Sequence, residues 1–214
     1  GLVGSDMCIR DRDRAGRRVL LVADSGNNGR ALIIDRDRGE SIGVTLPLGD
    51  GGDDVEGLER APDGRIFGLS SNGYLRAWQA SDDGFTLVYG PTAVSDEATW
   101  VCDPFGVNCA ANFEGICLHP APAAGCVGWA ASKAKGVLVC LVAEGNGYRV
   151  DGTVPIPVAE SDQLSGCAFE PDAPHRLLVG GNLYSSSAIW LVDPATNAVQ
   201  ALAERGAPNQ ETLI

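Results

Sequence analysis

Acidic and amide side chains recur at matching places in two segments of the chain, and in a third copy Ser165 replaces the glutamate, with Asp162 three residues upstream. DVEGLERAP (54–62) recurs as NFEGICLHP (112–120), so Glu56 matches Glu114, and SGCAFEP (165–171) is a third copy. Carboxylate and amide oxygens are the ligands that Ca²⁺ prefers, and it takes about six to eight of them. If the three segments converge on one axis, their oxygen atoms form a calcium site. The predicted ligands are Asp54, Glu56, Asn112, Glu114 and Asp162.

A structural role is the alternative for the same residues. In each of the first two segments a glutamate comes directly before a glycine. A carboxylate in that place can accept hydrogen bonds from neighbouring backbone N–H groups and hold adjacent elements together. Both interpretations of Glu56 and Glu114 therefore remain open at this point.

The elements that position these residues are predicted by the repeat itself. The matched positions of the three segments, Glu56, Glu114 and Ser165, are 58 and 51 residues apart. Each leads into apolar, β-rich runs of about four to eight residues bounded by turn residues, which is typical of strands. One more such pair, RVLLVADSGNNG and ALIIDRDRG, precedes the first segment. Four strands per unit at this period are the pattern of a β-propeller blade.

The fold class is therefore predicted to be all-β, a β-propeller fragment of about four four-stranded blades. The predicted blades lie at about 17–52, 53–95, 112–157 and 162–206, within a single domain over 13–214. Propellers close with about four to eight blades, so we expect a parent with six or seven. A complete four-bladed protein is the alternative.

The first twelve residues have a different origin in our interpretation. LVGSDMCIRDR (2–12) matches the translated end of a transposase adapter used for sequencing libraries, except at Asp6. Segments of this kind are excluded from fold prediction. We therefore expect residues 1–12 to be non-native and the first strand of the first blade to lie outside the sequence.

Cysteine spacing points to disulfides and not to zinc. Without Cys8, six cysteines remain, and none of them forms a C-x-x-C pair. Cys102 and Cys109 flank a Pro/Gly turn and are predicted to form a disulfide. An even number of cysteines without metal spacing favours an oxidising, extracytoplasmic compartment, and six buried thiols are the alternative.

Charge and hydropathy exclude two classes of partner. The net charge is −12, with 16 Lys and Arg against 28 Asp and Glu, so we expect no nucleic-acid binding. No apolar run approaches the length of about 18 residues needed to cross a membrane, so we expect no membrane span.

Several motifs resemble known propeller families. LLVADSGNNGRALIIDR (20–36) resembles a strand–loop–strand of secreted β-propeller phytases, and the D-x-E-G-L start at Asp54 is similar to theirs. The same start occurs in esterase-like phytase domains and in SdiA-regulated propeller domains, and SGCAF (165–169) is similar to blade starts of the latter two. The resemblance covers residues 18–193 through short motifs.

This resemblance implies a function. Propeller phytases are calcium-dependent phosphatases, so the resemblance implies that Glu56 and Glu114 are candidate calcium ligands and that Asn27 and Asn28 lie on a channel-side or blade-edge turn. The expected substrate is then a small-molecule ester or phosphoester. The chain departs from the phytase pattern in its basic residues, because the only ones near these turns are Arg30, Lys133 and Lys135.

A non-catalytic protein is the competing hypothesis. In that case the propeller binds a protein or glycan ligand through its loops, and the irregular insertion at 95–111 is the recognition surface. In either case the expected location is outside the cytoplasm, with a signal peptide lost together with the missing N-terminus.

Overall fold

The computed structural model of the chain describes eleven stretches of residues. They are 7–12, 18–23, 30–35, 37–49, 54–81, 84–100, 111–121, 125–151, 155–161, 163–183 and 186–205.

These residues form seventeen strands in four antiparallel sheets, and each sheet is one blade. Blade 1 contains β1 (Met7–Arg12), β2 (Arg18–Ala23), β3 (Arg30–Asp35) and β4 (Ser41–Thr45). Blade 2 contains β5 (Val55–Arg60), β6 (Ile66–Ser70), β7 (Tyr74–Ser81) and β8 (Gly84–Ala93). Blade 3 contains β9 (Phe113–Leu118), β10 (Gly128–Ser132), β11 (Val137–Glu144), β12 (Gly147–Val150) and β13 (Ile156–Pro157). Blade 4 contains β14 (Leu164–Glu170), β15 (Ala173–Leu183), β16 (Ser186–Asp193) and β17 (Ala198–Arg205).

The order of strands confirms the predicted fold class. Within every blade the first four strands pair each with the next one along the chain, as in an up-and-down meander. The first strands of consecutive blades lie against one another, β1 against β5, β5 against β9 and β9 against β14. These four strands are therefore the inner strands of consecutive propeller blades.

Two details differ from the sequence-based prediction. We expected the first strand of blade 1 to lie outside the sequence, but Met7–Arg12 forms this strand, β1, and pairs antiparallel with β2. The fourth strand of blade 3, expected as one run, is split. Gly147–Val150 pairs with one end of β11, and Ile156–Pro157 pairs with the other end.

The core consists of three apolar layers, one in each joint between consecutive blades. Ala31 and Leu46 pack with Trp78 between blades 1 and 2, and Cys117 packs with Leu164 between blades 3 and 4. The layer between blades 2 and 3 includes Phe67, Leu69, Phe113, Ile116 and Leu141. Successive side chains of a strand point to opposite faces of the sheet, so one blade contributes apolar side chains to the layers on both of its sides.

Two tryptophans fill equivalent places inside blades 2 and 4. The ring of Trp78 lies over Gly68, where a Cβ would come within 2.6 Å of its Cη2 atom, and Trp190 covers Gly181 in the same way. The Trp78 Nε1–H group donates a 2.7 Å hydrogen bond to the carbonyl oxygen of Pro47. This bond ties blade 2 to the segment that leaves blade 1.

Two disulfides strengthen blade 3 and its joint with blade 4. Cys117 in β9 is bonded to Cys167 in β14, with their Cα atoms 5.9 Å apart. Cys126 is bonded to Cys140 in β11, with a Cα separation of 5.4 Å. The predicted use of cysteines in disulfides is thus confirmed for these four, whereas Cys102 and Cys109 lie outside the described residues.

Candidate functional site

Polar groups gather at one end of blades 2 to 4, which we call the upper face. It is the end at which the inner strands β5, β9 and β14 begin. It comprises residues 54–56, 112–114 and 163–165, the turns 71–73 and 133–136, and the segment 94–100.

One backbone hydrogen bond recurs in all three of these blades. In each, a residue at the end of the second strand or directly after it donates its N–H to the carbonyl two residues before the Glu-Gly or Ser-Gly pair. The bonds run from Ser71 to Asp54 (3.0 Å), from Lys133 to Asn112 (2.9 Å) and from Asn182 to Gln163 (2.7 Å).

This equivalence changes the assignment in blade 4. Gln163, and not Asp162, occupies the position that Asp54 occupies in blade 2 and Asn112 in blade 3. Asp162 itself lies outside the described residues, so its prediction as a metal ligand stays a prediction. Asn27 and Asn28 also lie outside them.

The glycines of the repeated segments allow the inner strands to approach backbone to backbone. A Cβ added at Gly57 would lie 2.9 Å from the backbone nitrogen of Ile116. A Cβ added at Gly115 would lie 2.9 Å from the Cα atom of Gly166. Real Cβ atoms do not approach so closely, and this requirement explains the glycine of the first two segments.

This close approach places the residues before the glycines on adjacent strands. Glu56, Glu114 and Ser165 are all buried, with exposed fractions of 7%, 7% and 4%. Two carboxylates and a hydroxyl thus stand at matching positions of three neighbouring inner strands. Buried polar groups of this kind require polar partners, because desolvation without a partner costs free energy.

Side chains from the turns of the upper face bind one carboxylate in blade 2 and one in blade 3. The Ser71 hydroxyl donates a short hydrogen bond to the carboxylate of Asp54. The Lys133 ammonium lies 3.0 Å from Glu114 Oε1, and the two side chains are 28% and 8% exposed. Each of these two turns therefore holds a carboxylate of its own blade, and the backbone-capping role considered for Glu56 and Glu114 stays a prediction.

Asn112 contributes through its backbone. Its φ is +47°, in the left-handed region where asparagine is among the favoured residues. Its carbonyl accepts the bond from Lys133, and the next residue, Phe113, donates its N–H to the carbonyl of Ser71 (3.1 Å). The position therefore joins blade 3 to blade 2 at the upper face.

The predicted calcium site stays a prediction. Within the stretches that the structure describes, no group of three or more His, Cys, Asp and Glu side chains could hold a metal ion. Asp162 is not part of those stretches. Glu56 and Glu114 lie on neighbouring inner strands, and one partner of Glu114 is the ammonium group of Lys133.

Sequence reasoning missed an aromatic pair on the same face. The rings of Tyr74 and Trp100 are stacked, with centroids 3.4 Å apart and an interplanar angle of 12°. Trp100 is 48% exposed, which is unusual for so large an apolar side chain. Neither residue belongs to the repeated pattern, so nothing in the sequence linked them.

Comparison with known proteins gives a fold and no family. No protein-family model matches the chain, and no curated protein matches its sequence. In the part of the chain that the structure describes, no helix is long and apolar enough to cross a membrane.

Solved structures similar to this chain are β-propeller-like. A chain of the mitotic checkpoint complex is 13% identical, with a TM-score of 0.51, over 94% of this chain and 51% of that one. An auxiliary nutrient binding protein from Bacteroides thetaiotaomicron is 12% identical, with a TM-score of 0.53, over 91% and 46%. A protein from Lactobacillus plantarum is 17% identical, with a TM-score of 0.52, over 90% and 55%. The chain therefore has a β-propeller fold and spans about half the length of these three chains.

Proposed function

We propose that this chain is part of an extracytoplasmic β-propeller protein that binds a protein or glycan ligand at its upper face without catalysing its conversion. One observation carries the proposal: the half-exposed Trp100, stacked on Tyr74, lies on the same face as the polar turns. Exposed tryptophan and tyrosine side chains are the residues that most often dominate the binding energy of an interface.

The polar pairs of this face favour binding over catalysis. Asp54 accepts a hydrogen bond from Ser71, and Glu114 is paired with Lys133. Carboxylates held in this way are fixed in position, which suits a rigid recognition surface. The disulfides Cys117–Cys167 and Cys126–Cys140 support a location in an oxidising compartment, where the protein would encounter extracytoplasmic ligands.

The proposal is tested by comparing binding with turnover. Neutral oligosaccharides, basic peptides and acidic peptides are titrated against the protein by calorimetry. p-Nitrophenyl acetate and p-nitrophenyl phosphate are incubated with it, with and without Ca²⁺. We expect binding of one ligand class that is lost in Trp100→Ala, and no turnover above that of buffer. Turnover that disappears in Glu56→Gln would overturn the proposal.

A calcium-dependent esterase-like or phytase-like hydrolase is the second candidate. The observation that favours it is the burial of Glu56 and Glu114 at matching positions of adjacent inner strands. In such an enzyme the carboxylates would hold Ca²⁺, and the metal would supply an activated water for attack on an ester or phosphoester.

Thermal unfolding with Ca²⁺ and with a chelator tests this second candidate. A ligand that binds only the folded state stabilises it, by about 2.7 kcal/mol at one hundred times its Kd. A real site must therefore raise Tm in Ca²⁺, and Glu56→Gln must abolish the rise. Glu144→Gln is the control, because Glu144 is exposed and lies in an ion pair with Arg149 on β11 and β12. A Tm that does not respond to Ca²⁺ excludes a calcium site in this chain.

A further inference from the structure

The aromatic pair on the upper face is held in place by backbone bonds. Thr99 donates its N–H to the carbonyl of Asn72 (3.2 Å), and Val94 donates to Gly73 (3.0 Å). Ala98 packs closely on Gly73, because a Cβ built on Gly73 would lie 3.1 Å from the Cβ of Ala98. The segment 94–99 is thus anchored on the turn that leads into Tyr74, and Trp100 follows it directly.

This anchoring makes Trp100 a preorganised contact residue. Rings stacked at 3.4 Å leave no room for water between them, so Tyr74 covers one side of the indole. The exposed 48% of Trp100 then belongs to the side and edges away from Tyr74. A ring that is already fixed loses little conformational entropy when a ligand stacks on it.

The charge around this ring favours a cationic ligand. Trp100 follows the acidic residues Asp96 and Glu97 on the same segment, and Asp96 is exposed. The charge of Glu97 is compensated by an exposed ion pair with Lys135, at 2.6 Å, so Asp96 is the acidic residue of the segment that favours a cationic ligand. The chain as a whole carries a net charge of −12. The face of an indole attracts ammonium and guanidinium groups, and tryptophan does so most strongly.

We infer that Trp100, backed by Tyr74 and preceded on the same segment by the exposed Asp96, is the contact point for an arginine or lysine side chain of a basic protein partner. The inference rests on the proposed binding function and names the chemistry of its ligand. A guanidinium group fits best, because it stacks flat on an aromatic face and still donates hydrogen bonds at its edge to a carboxylate.

The probe is a fluorescently labelled peptide of alternating glycine and arginine, followed by anisotropy. Two matched peptides carry citrulline, which is a neutral isostere, or glutamate in place of arginine. We expect the arginine peptide to bind at least about fivefold more tightly than the citrulline peptide. We expect no binding of the glutamate peptide, and weaker binding at high salt.

Variants assign the binding to the ring. Trp100→Ala should weaken binding of the arginine peptide by about three- to thirtyfold, and Trp100→Phe by less, because phenylalanine keeps an aromatic face. Asp96→Asn should weaken it and reduce its salt dependence. Val88→Ala is the matched control, since Val88 is another exposed apolar side chain, at 44%, on β8. Thermal melts establish that each variant is folded.

The outcomes separate this inference from the function on which it rests. Equal binding of the arginine and citrulline peptides, or binding unchanged in Trp100→Ala, overturns the inference. A second outcome is that neutral oligosaccharides bind, that Trp100→Ala abolishes their binding, and that the arginine peptide does not bind. This outcome overturns the inference and leaves the proposed function standing. If no ligand class binds at this face, both the inference and the proposed function are overturned.

Discussion

Gly115 faces Gly166 across the joint between blades 3 and 4, and a Cβ on Gly115 would lie 2.9 Å from the Gly166 Cα atom. The neighbouring atoms belong to the backbone, so no side chain can rotate away to make room. We therefore expect Gly115→Ala to push the two inner strands apart and to lower the free energy of unfolding by about 1 to 3 kcal/mol. Urea unfolding of the variant measures this loss.

Gly43→Ala is the control for that substitution. Gly43 also lies in a strand, β4, but nothing is within 4 Å of a Cβ built on it. Alanine restricts the unfolded chain more than glycine does, so the stability should stay the same or rise by about 0.5 kcal/mol. Equal losses in both variants would show that the close approach of the inner strands is not what requires glycine.

The sequence predicted the strands better than it predicted their contacts. Alternating apolar runs and regular turns are local signals, and they placed four strands in each unit. The glycine of each repeated segment was visible, but the reason for Gly57 and Gly115 is a contact between strands about 50 residues apart. The split fourth strand of blade 3, with Ile156–Pro157 returning to β11, likewise depends on a pairing that local patterns do not encode.

The candidate site was predicted in part for the same reason. Repetition identified Glu56 and Glu114 as equivalent, and the structure places them on adjacent inner strands. Repetition could not identify Lys133 as the partner of Glu114, because blade 2 has a serine at the matching turn. Nor could it identify the stack of Tyr74 on Trp100, which occurs once in the described part of the chain and has no repeat to reveal it.

Removing the Cys117–Cys167 disulfide should cost more stability than any other change considered in this chain. The bond joins residues 50 positions apart, and closing a loop of that length in the unfolded chain corresponds to about 4 kcal/mol. The paired substitution Cys117→Ala with Cys167→Ala should therefore lower the free energy of unfolding by a similar amount. Denaturant unfolding of oxidised protein measures it.

The second disulfide is the comparison for the first. Cys126 and Cys140 are only 14 positions apart, so the same argument gives about 3 kcal/mol. The paired alanine variant at these positions should be the more stable of the two. The reverse order would mean that packing around the sulfur atoms outweighs the entropy of loop closure.

Glu59 should make the protein less stable as the pH rises through the weakly acidic range. Burial raises the pKa of this carboxyl to about 7 from its ordinary 4.5, although backbone N–H groups of Arg60 and Leu118 act in the opposite direction. The unfolded chain therefore releases the Glu59 proton first. The contribution of Glu59 to the free energy of unfolding is fully present below about pH 4.5. It is lost between about pH 4.5 and about pH 7, which lowers the free energy of unfolding by up to about 3 kcal/mol.

Glu59→Gln should remove this dependence. Glutamine keeps an oxygen that accepts from Arg60 and Leu118 but cannot ionise. We expect the variant to match the original protein at pH 4 and to be more stable by about 2 to 3 kcal/mol at pH 8. Urea unfolding at pH 4, 6 and 8 tests this, with the exposed Glu144→Gln as a control. A constant difference across the three values would contradict the raised pKa.

The ion pair of Lys133 with Glu114 should contribute far more than the pair of Lys135 with Glu97, although both are short. Glu114 is buried and Lys133 is largely covered, whereas Lys135 and Glu97 are 48% and 54% exposed. Removing one partner of a covered pair leaves the other charge poorly solvated, so Lys133→Met should cost about 1 to 3 kcal/mol. Lys135→Met should cost less than about 1 kcal/mol, because water screens that pair.

A double-mutant cycle that combines Lys133→Met with Glu114→Gln isolates the interaction free energy between Lys133 and Glu114. A coupling free energy near zero would show that Glu114 is held by the rest of the upper face and not by Lys133.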